Sequence, residues 1–286
     1  MEELLAIFCG VDDFCRDYEE YCQHHLLMDK SQIVPKTSMS LSEIMRIVIY
    51  FHLSNQTTFK WYYIKFVGTV LRPYFPKQVS YNRFVEIMKM SIAPLTLYLM
   101  KYHVGKCTGI NFMNSTTLDV CDTHRISFHK VFNGLAQHGK TSMGWFYGFE
   151  LHLVINDMGE ILSVCLTSVN VDDRDWEVIY RLTKELYRKF ICRQKICVSF
   201  EQNIQLITRL KSNMKNKLVD FSERLLLRKR AVIESVNDFL KNICQIQHSR
   251  HRSVDNFFVN LLAVLVAYSF IPKKSSLNIP KLPVSV

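Results

Sequence analysis

Apolar and polar positions alternate along this chain in two different rhythms. Over the first hundred residues the rhythm is helical. Residues 4–20 carry one apolar face among many acids, the three-to-four-residue return of an amphipathic helix. Ser40, Leu41, Ser42 and Glu43 have the form of a capping box ahead of an apolar run over 44–51, which predicts a helix start. Residues 57–71 and 80–90 continue the pattern, with Pro73 and Pro76 punctuating between them. Several short helices joined by tight turns suit a helix-turn-helix-like module. The stretch 80–87, which contains Arg83, reads either as a groove-reading helix or as a core helix with an ordinary polar face.

Near Cys107 the texture changes. Residues 109–113, 145–155 and 161–167 are rich in aromatic and β-branched side chains with partial alternation, and predict strands. Asn156, Asp157, Met158 and Gly159 form a turn signal between two of them. Residues 175–189 predict a helix, 204–208 another strand, and 217–247 and 253–270 two long helices. Strands followed by a helix, a strand and closing helices make an α/β layer fold. Trp145, Phe146, Tyr147 and Phe149 read as strand packing. The residues after Pro272 are rich in Pro, Ser and Lys and read as a disordered tail. No internal repeat is visible.

Charge sharpens this picture. The 286 residues carry 36 Lys and Arg against 26 Asp and Glu, a net charge of +10. Residues 209–252 alone hold eleven bases and four acids. Such an excess implies an anionic partner, DNA or RNA, or else a solvated basic face. The nine cysteines form no Cys-x-x-Cys and are odd in number, which points to a reducing compartment and away from a disulfide framework or zinc site. The N-terminus lacks a signal-peptide pattern. The longest apolar run, 257–271, is shorter than the roughly 20 residues that span a bilayer, so it reads as a buried helix. A cytosolic protein without membrane partners is expected.

The most basic region contains Arg230, Glu234 and Lys241, spaced Arg-x3-Glu-x6-Lys. At about 100° per residue these lie within roughly 40° of one helix face. The carboxylate can ligate a divalent metal while its neighbours hold phosphates. It can equally form an i, i+4 ion pair on a solvated face. The stretch 248–252, with Arg250 and Arg252, either holds DNA backbone or caps a helix. Gly139-Lys140-Thr141 lacks the full phosphate-loop pattern, so no small-molecule nucleotide substrate is expected.

The residues 109–116, 129–132 and 139–149, with Arg230-x3-Glu234-x6-Lys241 and 248–253, resemble the DDE-superfamily transposases of bacterial insertion sequences. The segments 41–45 and 80–84 resemble the same group. The resemblance implies a ribonuclease-H-like catalytic core, a mixed sheet flanked by helices, over 106–271. A small all-helical DNA-binding domain precedes it over 1–105, and a disordered tail follows over 272–286. It also implies three carboxylates, Asp, Asp and Glu, holding two Mg²⁺ ions for in-line attack on a phosphodiester. The implied partner is double-stranded DNA carrying terminal inverted repeats, in a bacterial, nucleoid-associated setting; a homo-oligomer is left open.

Transferred residue by residue, the Glu falls on Glu234 and the first Asp falls on Asn114. The region 190–197, where the second Asp would stand, contains no acid. Arg230, Lys241, Arg250, Arg252, Lys130 and Arg83 become candidate DNA contacts. Asp119, Asp122, Asp172 and Asp173 are the acids available as substitutes. An uninterrupted strand would turn Asp119 to the face opposite Asn114. The expectation is a transposase-family protein with impaired strand cleavage and transfer. The alternatives are a non-catalytic DNA-binding protein, acting as a repressor or dominant-negative partner of intact transposase, and a remnant without function.

Overall fold

The structure is a computed structural model that describes residues 2–25, 37–141, 144–169, 175–184, 188–192, 204–208, 227–247 and 251–276. The elements of these residues fall into two compact units, each discontinuous in sequence.

The helical unit comprises Met1–His103, Asp119–Leu135 and Phe239–Pro272. It contains α1 (Glu2–His25), α2 (Leu41–Phe51), α3 (Phe59–Trp61, continued as a π-helix over Tyr62–Val70), α4 (Tyr81–Ile87) and α5 (Ile92–Tyr98). The capping box ahead of α2 forms as the sequence predicts. Ser40 Oγ accepts from the Glu43 N–H at 3.1 Å, and Glu43 Oε2 accepts from the Ser40 N–H at 2.7 Å. Such a cap stabilises a helix start by about 1 kcal/mol. Below it, Ile44, Met45, Ile47 and Ile49 are fully buried.

The predicted buried helix over 253–270 is the last helix of this unit (Val254–Ser269) and packs on α2 and α5. Its apolar residues are buried on nearly all sides, from Phe257 through Leu265 to Tyr268, the mark of a central helix rather than a surface one. Its association with the N-terminal helices is why the units cross the linear partition read from the sequence at 105/106. Among the described residues no helix is long and apolar enough to cross a membrane.

The sheet unit comprises Val104–Leu118, Ala136–Asp238 and Lys273–Val286. Its strands are β1 (Ile110–Asp119, the last residue grouped with the helical unit), β2 (Gln137–Thr141), β3 (Gly144–Asn156), β4 (Ile161–Ser168), β5 (Arg188–Cys192) and β6 (Ile204–Thr208). They form one mixed sheet in the order β2-β3-β1-β5-β6, with β4 also paired to β3. The long β3 pairs antiparallel with β2 over its first residues and with β4 over the rest. The strands β5 and β6 run parallel, β5 to β1 and β6 to β5. At the β3–β4 turn, Asn156 Oδ1 accepts from the N–H groups of Met158 and Glu160 at 3.0 and 2.9 Å, and Gly159 takes φ +75°, a conformation glycine adopts without a Cβ clash. Helix α6 (Trp176–Thr183) packs on β4, and α7 (Ala231–Asp238) follows the sheet. With that numbering the last helix is α8. This is the expected ribonuclease-H-like arrangement, a mixed sheet with helices, preceded by N-terminal helices.

Four local expectations are corrected. The helix predicted over 175–189 ends at Thr183, and 188–192 is strand β5; pairing with β1 and β6 on both sides overrides the helical pattern that precedes it. Strand β2 has no counterpart among the predicted strands, because Gln137, His138, Gly139 and Lys140 carry no strand signature; its pairing with β3 supplies the conformation. The long helix predicted over 217–247 is not continuous: residues 229–230 form a turn, α7 begins at Ala231, and Phe239–Ile243 is a π-helix. Residues 209–226 of the basic region, and 277–286 of the predicted tail, lie outside the described residues. Finally, β1 does not stop near Met113 but runs on to Asp119, which places Asn114 in mid-strand.

Candidate functional site

In the sheet unit, three of the sequence-predicted residues come together. Arg230 occupies the turn ahead of α7, and its Nη2 donates to Asn114 Oδ1 at 2.7 Å. Its Nη1 lies 3.5 Å from Glu234 Oε1. The Arg230 side chain is 13% exposed and that of Glu234 63%. The planar guanidinium therefore spans from a neutral amide on β1 to a carboxylate in the first turn of α7, using separate nitrogens of its fork. Glu234 also stands where the positive end of the helix dipole favours a negative charge.

This donor set does not fit a two-metal centre. Only Glu234 supplies a carboxylate, and the oxygen that Asn114 offers is a neutral one already receiving an N–H. The neighbouring strand carries no acid over its described length: β5 pairs Phe112 with Ile191 and ends at Cys192. Among the described residues no group of three or more His, Cys, Asp or Glu is arranged to hold a metal ion. Hard divalent ions need several oxygen ligands whose charge balances their own. Residues 193–197, the rest of the region read for the second Asp, are outside the described residues, as are Asp172, Asp173 and Arg250.

The third member of the spaced motif behaves differently. Lys241 lies in the π-helical segment of the helical unit, where i→i+5 winding replaces the α-helical period assumed for the motif. It interacts electrostatically with Asp119, and burial lowers its pKa while Asp119 opposes that shift. Burial raises the pKa of Asp119, against the opposing pull of Lys241 and a side-chain hydrogen bond with Gln247. Asp119, one of the acids available as a substitute ligand, alternates along the unbroken β1 to the face opposite Asn114. Asp122 is exposed after that strand.

The remaining candidates belong to the helical unit. Arg83 is exposed on α4, with Nη1 2.9 Å from Glu86 Oε2, while Phe84 and Ile87 anchor the helix. Lys130 is exposed in the loop after a short 3₁₀ turn (Thr123–Phe128). Arg252 is exposed one residue before Ser253, whose Oγ caps α8 by accepting from the Asn256 N–H at 3.1 Å.

Trp145 departs from its sequence reading. Phe146, Tyr147 and Phe149 are buried, as strand packing requires, but Trp145 is 64% exposed. Its cross-strand partner is Lys140 of β2, a strand that the sequence pattern does not announce.

The sheet order and the trailing helix define the ribonuclease-H-like class. Within it, the family model described as a transposase DDE domain matches residues 104–254. The chain belongs to that family. No curated protein and no solved structure matches it.

Proposed function

We propose that this transposase-family chain binds the terminal inverted repeats of an insertion sequence and is impaired in the cleavage and strand transfer that its family performs with divalent metal. The observation that carries the reading is the Arg230–Asn114 hydrogen bond of 2.7 Å. A guanidinium sits against the position the family fills with its first metal-binding Asp. A metal ion contributes several kcal/mol of transition-state stabilisation, and about 1.36 kcal/mol is tenfold in rate. Loss of two of three carboxylates therefore lowers turnover by on the order of a thousandfold or more. In this reading residues 1–105 form the DNA-binding region and 106–271 the catalytic domain. Arg83, Lys130 and Arg252, exposed in the helical unit, are the candidate backbone contacts, with Lys241 and Arg250 completing the set.

The neutral Asn114 equally favours a second reading, a non-catalytic DNA-binding protein that represses or competes with intact copies. Cleavage of labelled inverted-repeat DNA in Mg²⁺ and in Mn²⁺ tests the first. The native chain should not cut, and a variant with Asn114→Asp and a restored second Asp segment should. Cutting by the native chain that Glu234→Ala abolishes would refute the impairment. Salt-dependent binding to inverted-repeat and random duplexes tests the second, because phosphate contacts alone carry no sequence preference. Equal affinity for both would sink it.

A further inference from the structure

The β2–β3 hairpin carries a groove of about 300 Å³ that takes no part in the Asn114–Arg230–Glu234 cluster. Thr117, His138, Lys140, Trp145 and Glu150 are among its walls. Its size is near the lower end for small-ligand pockets. Trp145 leaves most of its indole in solvent while the next residues along β3, Phe146 and Tyr147, are each 7% exposed. The indole is therefore presented on a strand that the core holds rigid. Lys140 is its cross-strand partner, and the ammonium lies 5.6 Å from the ring centroid. The groove floor is tight. A Cβ on Gly139 would meet Val169 Cγ1 at 1.9 Å and Phe146 Cε1 at 2.7 Å, so this position admits no side chain without displacing both.

We propose that this groove receives a single unpaired nucleotide of a DNA strand, its base stacked on Trp145 and its phosphate at Lys140. An aromatic face, a cation beside it and hydrogen-bonding groups around it are what recognition of an unpaired base requires. A base pair inside a duplex offers no free face, because its neighbours already cover it. The ammonium of Lys140, at 5.6 Å from the indole centroid, attracts the anionic part of the nucleotide. The +10 charge of the chain favours the approach of such a strand.

The identity of the partner rests on the DNA-binding reading above; the location of the subsite does not. The chain has three tryptophans, so replacing Trp61 and Trp176 by Phe leaves Trp145 as the sole indole emitter. That protein is titrated with an inverted-repeat duplex bearing a short unpaired end and with the same duplex made blunt. The unpaired end should quench Trp145 emission and bind tighter. Stacking of about 1–3 kcal/mol per base corresponds to roughly five- to 150-fold. In the otherwise native chain, Trp145→Ala should remove that advantage, Trp145→Phe should keep most of it, and Lys140→Ala should lower the salt slope by about one. Matching thermal melts of the variants show that the fold is intact. Blunt-duplex binding with no preference for the unpaired end, or a preference that survives Trp145→Ala, overturns the subsite and leaves the DNA-binding reading standing. No binding of either duplex overturns both.

Discussion

Arg230 and Lys241 stand at opposite ends of one short motif and meet different surroundings. In the sheet unit Arg230 donates to the neutral amide of Asn114 and reaches a well-exposed Glu234. In the helical unit Lys241 faces the half-buried carboxylate of Asp119, and burial shifts both pKa values toward the uncharged forms. One cation is thus held by geometry and hydrogen bonding, the other by charge in a poorly solvated place. The contrast teaches that spacing in sequence fixes which residues share a segment, whereas the strand opposite decides what each of them does. Here the one carboxylate on β1 is Asp119, paired electrostatically with Lys241, and Asn114 offers Arg230 an amide.

The comparison is broken most severely on the Lys241 side. Asp119→Ala should destabilise the fold by about 1–3 kcal/mol, since it leaves a poorly solvated ammonium without its counter-charge. Joining it with Lys241→Met should recover much of that loss. Urea denaturation of the two single variants and the double variant reads the coupling, and strictly additive losses would mean the pair does not interact.

The pH dependence of the same pair has a definite sign. Asp119 has a raised pKa in the folded state, so its contribution to stability is fullest below the ordinary carboxylate value of 3.8 and is lost as pH rises through the raised value. Lys241→Met removes the cation that opposes this shift, so the Asp119 carboxyl should titrate at still higher pH. Carboxyl-carbon NMR follows it directly; a titration that stays put or moves down would contradict the electrostatic assignment.

A smaller effect sharpens the Arg230 side. Asn114→Asp turns a hydrogen bond that the Arg230 charge already strengthens into an ion pair, a gain of up to about 1 kcal/mol. The melting temperature should rise by about 2–4 °C near neutral pH. Arg230 depresses the new carboxyl's pKa, so the gain is present above the unfolded value and disappears as pH falls through the folded one. Glu234→Gln should change stability least, by no more than about 1 kcal/mol, because its pair with Arg230 is long and solvated. A drop in melting temperature for Asn114→Asp, or a Glu234→Gln effect larger than that of Asp119→Ala, would reverse the ranking.

Much of the architecture is written in local sequence. The capping box at Ser40 and Glu43, the apolar run that forms α8, the strands through β1, β3 and β4, and the turn at Asn156 each rest on chemistry that neighbouring residues display. The rest depends on partners distant along the chain. Strands β2 and β5 owe their conformation to neighbours in the sheet, and their own residues give mixed signals. Arg230 lies 116 residues from Asn114, so no spacing rule could join them. Trp145 reads as packing because its strand is packed. Its exposure follows from where the hairpin runs, which the alternation of β3 does not encode.

The π-helical segment Phe239–Ile243 has a consequence of its own. The Cys244 N–H reaches back to the Phe239 carbonyl at 3.1 Å, and that of Ile246 to Leu240 at 2.9 Å. Each loop is wider than an α-turn, so the backbone holds surplus length at this point. Surplus length in an α-helix would shift the phase of all that follows, and the wider turn confines that shift to the segment itself. Removing a single residue here, Asn242 for instance, would let the segment rewind as an α-helix. Everything downstream would then keep nearly its present phase, because the narrower winding completes about the same turn with one residue fewer. Glu234 and Lys241 keep the Glu-x6-Lys spacing in the letters of this chain, while the wider winding that begins at Phe239 changes their angular relation. Letters alone would place on one helix face a pair that the backbone between them has turned apart.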